Sequence, residues 1–197
     1  MYRDYKFGTA QKVKEVWAAY KANAEKYSDA VWGEGTKSHC TGESVIQSIG
    51  ARLRHVPYKG SAPAMTDLMG GQVPFSVDTV TAALPQLKSG KIKAIAVTTA
   101  KRSSQLPDVP TFAEAEYKDI NADTWIMLVG PKGLPPAVFA KLEKTLAEII
   151  AEPATKKALQ EQGAEPAYAN GAASLAQIES ELPLMRAVAS RAKIQAE

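Results

Sequence analysis

Short β-branched or aromatic segments alternate with helical segments through the first half of this 197-residue chain, and glycine-rich turns separate them. Four segments have strand character: 30–32, 52–56, 73–77 and 92–97. The helical segments run over 10–25 with Thr9 as its N-cap, from the Gly33 turn to Gly50, over 62–69 and over 79–88. This alternation is typical of βα units on a mainly parallel sheet, so we predict an α/β fold.

The alternation ends near Trp125. A fifth strand is predicted over 124–129, and three helices without further strands follow over 135–151, 153–162 and 174–189. Pro183 is expected to kink or end the last of them. We therefore predict a complete lobe over 12–123, with 1–11 and 124–197 as hinge strands and C-terminal helices of an incomplete lobe. The apolar face of the helix over 135–151 should then be exposed, which favours self-association.

Composition and charge exclude several classes of function. The formal net charge is only +3 and is spread along the chain, which argues against a nucleic-acid partner. Lysines and polar residues interrupt every apolar stretch before the roughly 20 residues that cross a bilayer, so no membrane insertion is expected. The first residues contain no apolar run with a cleavage site, which predicts no export signal within this chain. Small molecules or proteins remain as partners.

The segment from Gly33 to His39 is the strongest local motif. A strand, a glycine-rich turn and a helix N-terminus present backbone N–H groups and a positive dipole end to one point, where carboxylates bind well. The hydroxyl of Thr36 adds a donor, Gly35 allows close approach, and Trp32 lies beside the turn. Taken alone, the motif is also explained by an ordinary N-capped turn.

A second candidate, Asp78-Thr79, lies where the third strand ends and a helix begins. Ligands of open α/β sheets bind outside the carboxyl ends of strands. The alternative is that Asp78 only caps its own helix, and on local grounds that reading is favoured.

Catalytic chemistry finds little support. Cys40 is the only cysteine, and the neighbouring His39 points about 100° away from it on a helix. The second histidine, His55, comes near only if the tertiary fold brings it there. Neither H-x-x-x-H nor C-x-x-C spacing occurs, so no metal site and no cofactor are predicted. An enzyme with a glycine-rich anion turn remains an alternative function.

A series of short motifs runs through the chain in a fixed order. They are Val56-Pro-Tyr-Lys-Gly60, Asp67-Leu-Met-Gly-Gly71, Val77-Asp78, Ala83-Leu-Pro85, Gly90-Lys-Ile-Lys-Ala-Ile-Ala-Val97, Leu106-Pro-Asp-Val-Pro-Thr111, Trp125 and Leu128-Val-Gly-Pro131. Upstream of them lies Gly33-x-Gly35-Thr36-x-x-His39-x-x-Gly42-Glu43. In these motifs the chain resembles the Bug (TctC-like) solute receptors of tripartite tricarboxylate transporters.

The resemblance implies a type II periplasmic-binding-protein fold, with one complete lobe (domain 2) and the C-terminal part of the other. It implies capture of a small organic carboxylate in an interlobe cleft, delivery to membrane subunits, a periplasmic location for the full-length parent, and no catalysis. The implied ligand-binding residues are Trp32, Gly33, Gly35, Thr36, His39, Asp78 and Thr79. A sensory ligand-binding domain of the same fold is a further alternative.

The chain also departs from that family. Members usually carry glycine where Glu116 and Met127 stand and a small hydroxyl residue where Val31 stands, and they lack Pro183. The N-terminal half of the family's first lobe, with its own carboxylate-binding turn, has no counterpart in these residues.

Overall fold

The structure is a computed structural model that describes residues 9–22, 28–33, 35–50, 54–192 and 194. In chain order its elements are α1 Ala10–Ala22, β1 Ser28–Trp32, α2 Lys37–Ile49, β2 Arg54–Tyr58, α3 Ser61–Met69, β3 Phe75–Ser76, α4 Val80–Lys88, α5 Pro136–Ala151, α6 Pro153–Glu161 and α7 Gly171–Ala192. No described helix has the length and apolar character needed to cross a bilayer.

The three strands form a parallel sheet in the order β2-β1-β3, which confirms the predicted α/β class. Side chains alternate across β1, as a strand requires. Asp29 and Val31 face Gly42 of α2, whereas Ala30 packs with Ala64 of α3 on the other face. Helices therefore cover both faces of the central strand, and the carboxyl ends of β1 and β3 open at one edge.

An aromatic group forms the centre of the main core. Trp17 of α1 packs against Tyr20, Phe75 and Phe112, with ring centroids 5.5 to 6.0 Å apart. Val13 and Val16 complete the buried face of α1, which has the spacing predicted from the sequence. This packing holds α1 and the end of β3 in place beneath the carboxyl edge of the sheet.

Two predicted strands are wrong. Residues 92–97 form no strand except for a parallel bridge between Val97 and Thr111, although Ile95 packs against the main core. Residues 124–129 are irregular, and Ile126 is 100% exposed. Both segments have strand composition, but a strand needs a hydrogen-bonded neighbour. β3 is only two residues long, and neither segment pairs with its outer edge.

The other predicted boundaries shift modestly. β2 extends to Tyr58, two residues beyond its predicted end, and residues 52 and 53 of its predicted start lie outside the described residues. It includes Pro57, which an edge strand tolerates because the N–H that proline lacks is not needed in the ladder. α1 is described to Ala22, and residues 23–25 of its predicted end lie outside the described residues. Gly50 ends α2 in the left-handed conformation, with φ 65°, as predicted.

The C-terminal helices largely follow the prediction, with one correction. α7 is longer than expected and continues through Pro183 rather than ending there. Contacts hold it on both sides of the proline, because Glu181 pairs with Lys37 of α2 and Val188 is buried. In contrast, α5 has no buried residue, so its predicted apolar face is exposed.

Glu116 is the one described non-glycine residue with positive φ, at 73°. Its ion pair with Lys14 is largely exposed and adds little stability. Glu116→Gly should therefore raise Tm, by about 3 °C, because it removes left-handed backbone strain. Calorimetry measures this shift. Glu116→Ala is the matched control, since it removes the ion pair and keeps the strain, and an equal Tm gain in both variants would contradict this account.

Candidate functional site

The turn after β1 is shaped by two glycines and one threonine. Gly33 and Gly35 have φ values of 79° and 72°, which side chains rarely adopt. Thr36 is the N-cap of α2, and its Oγ1 accepts from the amide of His39 at 3.4 Å and donates to the carbonyl of Gly33 at 2.8 Å. Residue 34 lies outside the described residues. The glycines thus turn the chain so that the N-terminus of α2 points to the carboxyl edge of the sheet.

The amides of this turn already have acceptors within the chain. Gly33 N–H donates to the carbonyl of Tyr58 at 2.9 Å, and Thr36 N–H donates to Gly33 at 3.4 Å. Gly35 N–H donates to Nδ1 of His39 at 3.3 Å. The next two amides, those of Lys37 and Ser38, donate to none of the described residues. The first turn of α2 therefore carries the donors that are open to an anion.

We call the first turn of α2 the first mouth of the site. The second mouth is the N-terminus of α4. Thr79 is its N-cap, with Oγ1 accepting from the amide of Ala82 at 3.3 Å. Asp78 accepts from the amide of Thr79 at 2.7 Å and from the hydroxyl of Ser61. Burial raises the pKa of Asp78 and outweighs these two hydrogen bonds, which lower it. The Asp78-Thr79 pair therefore both caps α4 and lies after the carboxyl end of β3.

Ser61 belongs to this mouth although no sequence motif singled it out. It begins α3 directly after the Tyr58-Lys59-Gly60 turn that follows β2. Its proximity to Asp78 depends on the strand order, because β1 lies between β2 and β3. Only the parallel arrangement of all three strands brings their carboxyl ends together, so spacing along the chain could not indicate it.

The two mouths are joined by one hydrogen bond, from Ser38 Oγ to the carbonyl of Val77 at 2.7 Å. A cleft of about 3100 Å³ borders them and is lined by Ser38, Asp78 and Thr79. Across the cleft lie residues of the C-terminal part, including Trp125, Phe139 and Leu142.

Gly33, Gly35, Thr36 and His39 do not line this cleft. Gly33, Gly35 and Thr36 shape the turn behind it, and His39 borders a second, smaller cavity of about 220 Å³. The backbone of Trp32 ends β1, but its side chain lies outside the described part of the chain.

A charged group anchors α7 beside the first turn of α2. Lys37 Nζ lies 2.8 Å from Glu181 and 3.7 Å from Asp123, and 5.4 Å from the ring centroid of Trp125. Trp125 also donates its indole N–H to Glu181 at 3.1 Å. Burial raises the pKa of Glu181, but Lys37, Gln177 and Trp125 together lower it below its ordinary value. These contacts hold α7 and Trp125 against Lys37 in the first turn of α2.

The structure also brings together three side chains that the sequence did not connect. His39 and Glu43 lie one turn apart on α2, and His55 reaches them from β2, so that their ligand atoms lie within 4.8 Å of one another. His55 contacts Glu43 through Nε2 and Asp29 through Nδ1, the latter at 2.8 Å. Burial lowers the pKa of His55, but both carboxylates raise it to about 9.

The arrangement offers no evident nucleophile. Cys40 is buried, and burial, followed by the charge of Glu43, raises the pKa of its thiol. The described part of the cleft mouth instead combines open amides, hydroxyls and one carboxylate, which suits binding of a polar ligand rather than chemistry on it.

Solved structures share this architecture. BugD, described as a periplasmic binding protein, matches with a TM-score of 0.81 and 36% identity, over 99% of this chain and 65% of that chain. Rpa4515 of R. palustris, solved with adipate, matches with a TM-score of 0.84 and 28% identity, over 97% of this chain and 63% of that chain. The fold is that of periplasmic solute-binding proteins.

The family follows from the sequence match. Residues 8–189 match the tripartite tricarboxylate transporter family receptor, TctC, and the chain belongs to this family. BugT of Bordetella pertussis strain Tohama I is 34% identical over 152 residues, which are 77% of this chain and 47% of that protein. Members are solute receptors and not enzymes, which confirms the prediction of no catalysis at the level of the family.

The match is partial in length. The chain spans about half of BugT and 63 to 65% of the two solved relatives.

Proposed function

We propose that this chain forms the complete lobe 12–123 and part of the second lobe of a receptor for a small organic carboxylate. The receptor delivers its ligand to the membrane subunits of a tripartite tricarboxylate transporter, and its full-length parent is periplasmic. The observation that carries the proposal is the convergence of the α2 and α4 N-termini at one edge of the sheet, joined by Ser38 and Val77. The adipate bound to Rpa4515, a dicarboxylate, supports the ligand class.

Electrostatics favour an anion at this edge. Each helix N-terminus carries a partial positive charge from its unpaired amides. At α2 these amides belong to Lys37 and Ser38, and at α4 to Val80 and Thr81, none of which donates to a described residue. Asp78 opposes an anion, so we infer that it orients Ser61 and Thr79 while the amides hold the carboxylate. Gly33, Gly35, Thr36 and His39 act by holding the first turn of α2.

The size of the cleft supports a partial second lobe. Ligand pockets usually enclose about 300 to 1,000 Å³, whereas this cleft measures about 3100 Å³ and its far wall exposes apolar side chains of α5. Roughly a third of each solved relative lies outside the part that this chain covers. We infer that such additional chain covers the far wall and closes the cleft around a small ligand.

Proline substitutions at the first residue of each helix test the amides directly. Lys37→Pro and Val80→Pro remove one N–H each, and proline fits this position because Thr36 and Thr79 already have extended ψ angles, 167° and 149°. A hydrogen bond to a charged group contributes about 1.5 to 3 kcal/mol. Each variant should therefore bind adipate about 10- to 100-fold more weakly in titration calorimetry.

Lys37→Ala and Val80→Ala are the matched controls, since they shorten the same side chains and keep the amides. Each proline variant is compared with the alanine variant at its position, so the loss of the Lys37 charge cancels. If each proline variant binds adipate as tightly as the alanine variant at its position, the amides of Lys37 and Val80 do not bind the carboxylate. Absence of binding to adipate and to a panel of C4 to C8 dicarboxylates would overturn the proposed function.

A further inference from the structure

The group of His39, Glu43 and His55 has the composition and placement of a metal-binding site. The spacing of four residues puts His39 and Glu43 on one face of α2, and His55 comes from the adjoining strand β2. The two imidazole rings have centroids 4.9 Å apart, and one potential ligand atom from each of the three residues lies within 4.8 Å of the others. No residue that lines the large cleft borders the small cavity beside this group.

The local charge favours a cation. Asp29 is 0% exposed, and its Oδ1 lies 2.8 Å from Nδ1 of His55, although off the line of a hydrogen bond. Glu43 is half-buried and contacts Nε2 of the same ring. Among the described residues no lysine or arginine pairs with either carboxylate. Two carboxylates therefore share one imidazole, and buried carboxylates require compensation.

We propose that His39, Glu43 and His55 bind one Zn²⁺ ion. Two imidazoles and one carboxylate form a common three-ligand zinc set, which leaves a fourth position for water or another ligand. The small cavity of about 220 Å³ provides space for that position. Zn²⁺ replaces the proton that lies between Nε2 of His55 and Glu43.

Asp29 has a positioning role in this site. Its carboxylate lies 2.8 Å from Nδ1 of His55, so its negative charge favours the ring proton on that nitrogen and leaves Nε2 to the metal. The total charge of Zn²⁺, Asp29 and Glu43 is zero when both histidines are neutral. The buried carboxylates are thereby compensated.

Metal binding also affects the turn before α2. Nδ1 of His39 accepts from the amide of Gly35 at 3.3 Å. When Zn²⁺ binds Nε2 of His39, the ring proton moves to Nδ1 and this contact breaks. The site does not depend on carboxylate binding, because its three ligands lie outside the lining of the large cleft.

The test is a zinc titration of tag-free protein that has been treated with EDTA and then freed of chelator. Competition with a chromophoric chelator should show one Zn²⁺ per chain, and Co²⁺ should give the visible absorption of a four-coordinate site. Glu43→Gln and His55→Gln should each weaken Zn²⁺ binding at least 30-fold, and Asp29→Asn about 10- to 100-fold. Cys40→Ser, one residue from His39, is the matched control and should bind within threefold of the wild type.

Circular dichroism of each metal-free variant establishes that it is folded. If His55→Gln does not fold, the isosteric change Glu43→Gln decides the outcome. Wild-type protein without stoichiometric binding, or Glu43→Gln with wild-type affinity, overturns the proposal. Loss of binding in Cys40→Ser overturns the ligand set, because the thiol would then be the metal ligand.

Discussion

In metal-free buffer, the free energy of unfolding should fall by about 3 kcal/mol as the pH rises from about 6 to 9. The cause is His55, whose pKa is about 9 in the folded chain and 6.5 in its ordinary state. The folded protein therefore holds this proton more tightly than the unfolded chain. Its contribution is fully present below pH 6.5 and is lost as the pH rises through 9. Urea denaturation at a series of pH values measures it.

The measurement requires a background without a competing thiol. The pKa of Cys40 is also raised on folding, so Cys40→Ser serves as the reference protein. In that background His55→Gln should give a nearly flat profile, and Asp29→Asn should reduce the slope because one of the two carboxylates beside the ring is lost. Glu114→Gln breaks an exposed ion pair with Arg102 and should leave the slope unchanged. A flat profile in the reference protein would contradict the raised pKa of His55.

Much of the fold could be predicted because local signals agreed with tertiary packing. The Thr36 and Gly50 caps of α2, the Val13–Val16–Trp17–Tyr20 face of α1 and the opening of α5 after Pro135 all depend on neighbouring residues. The predicted strands over 92–97 and 124–129 were wrong because the local signals did not agree with the tertiary packing. Their composition favours strands, but neither segment pairs with an outer strand of the β2-β1-β3 sheet, in which β3 is only two residues long.

The candidate site also contains residues that could be predicted from the sequence and residues that could not. The positions of Gly35, Thr36, Asp78 and Thr79 at strand ends followed from the order of elements, and the structure places them there. The positions of Ser61 and of the group of His39, Glu43 and His55 could not be predicted in this way. Both depend on which strands are neighbours in the sheet. His55 is twelve residues from Glu43 and on another element, so no spacing rule connects them. The ligand-binding role of the predicted residues stays a prediction.

The second large effect concerns the apolar surface formed by Ile126, Leu128, Val129 and the exposed side of α5. Ile126 is 100% exposed, Val129 79% and Leu128 69%, and Val138, Phe139 and Leu142 are about half exposed. A fully buried side chain of this kind contributes about 1.5 to 3 kcal/mol. We therefore expect concentration-dependent self-association of this chain in sedimentation velocity.

The double change Ile126→Lys and Leu128→Lys should weaken that association at least 100-fold, since it removes two contacts worth together about 3 kcal/mol or more. It should change the free energy of unfolding little, because neither side chain is buried within the chain. Thr145→Lys with Ala137→Lys adds the same charge on exposed positions of α5 outside the apolar surface, and should leave association unchanged.

Comparison of the wild type with the two double variants also tests whether the exposed apolar surface is the contact in self-association. If association weakens equally in both double variants, added charge alone disperses the protein and the apolar surface is not its contact. If the wild type stays monomeric at millimolar concentration and the amides of α5 exchange slowly, the C-terminal helices are packed by contacts within this chain, and the surface needs no covering partner. Selective loss in the first variant instead identifies Ile126 and Leu128 as part of the contact through which copies of this chain associate.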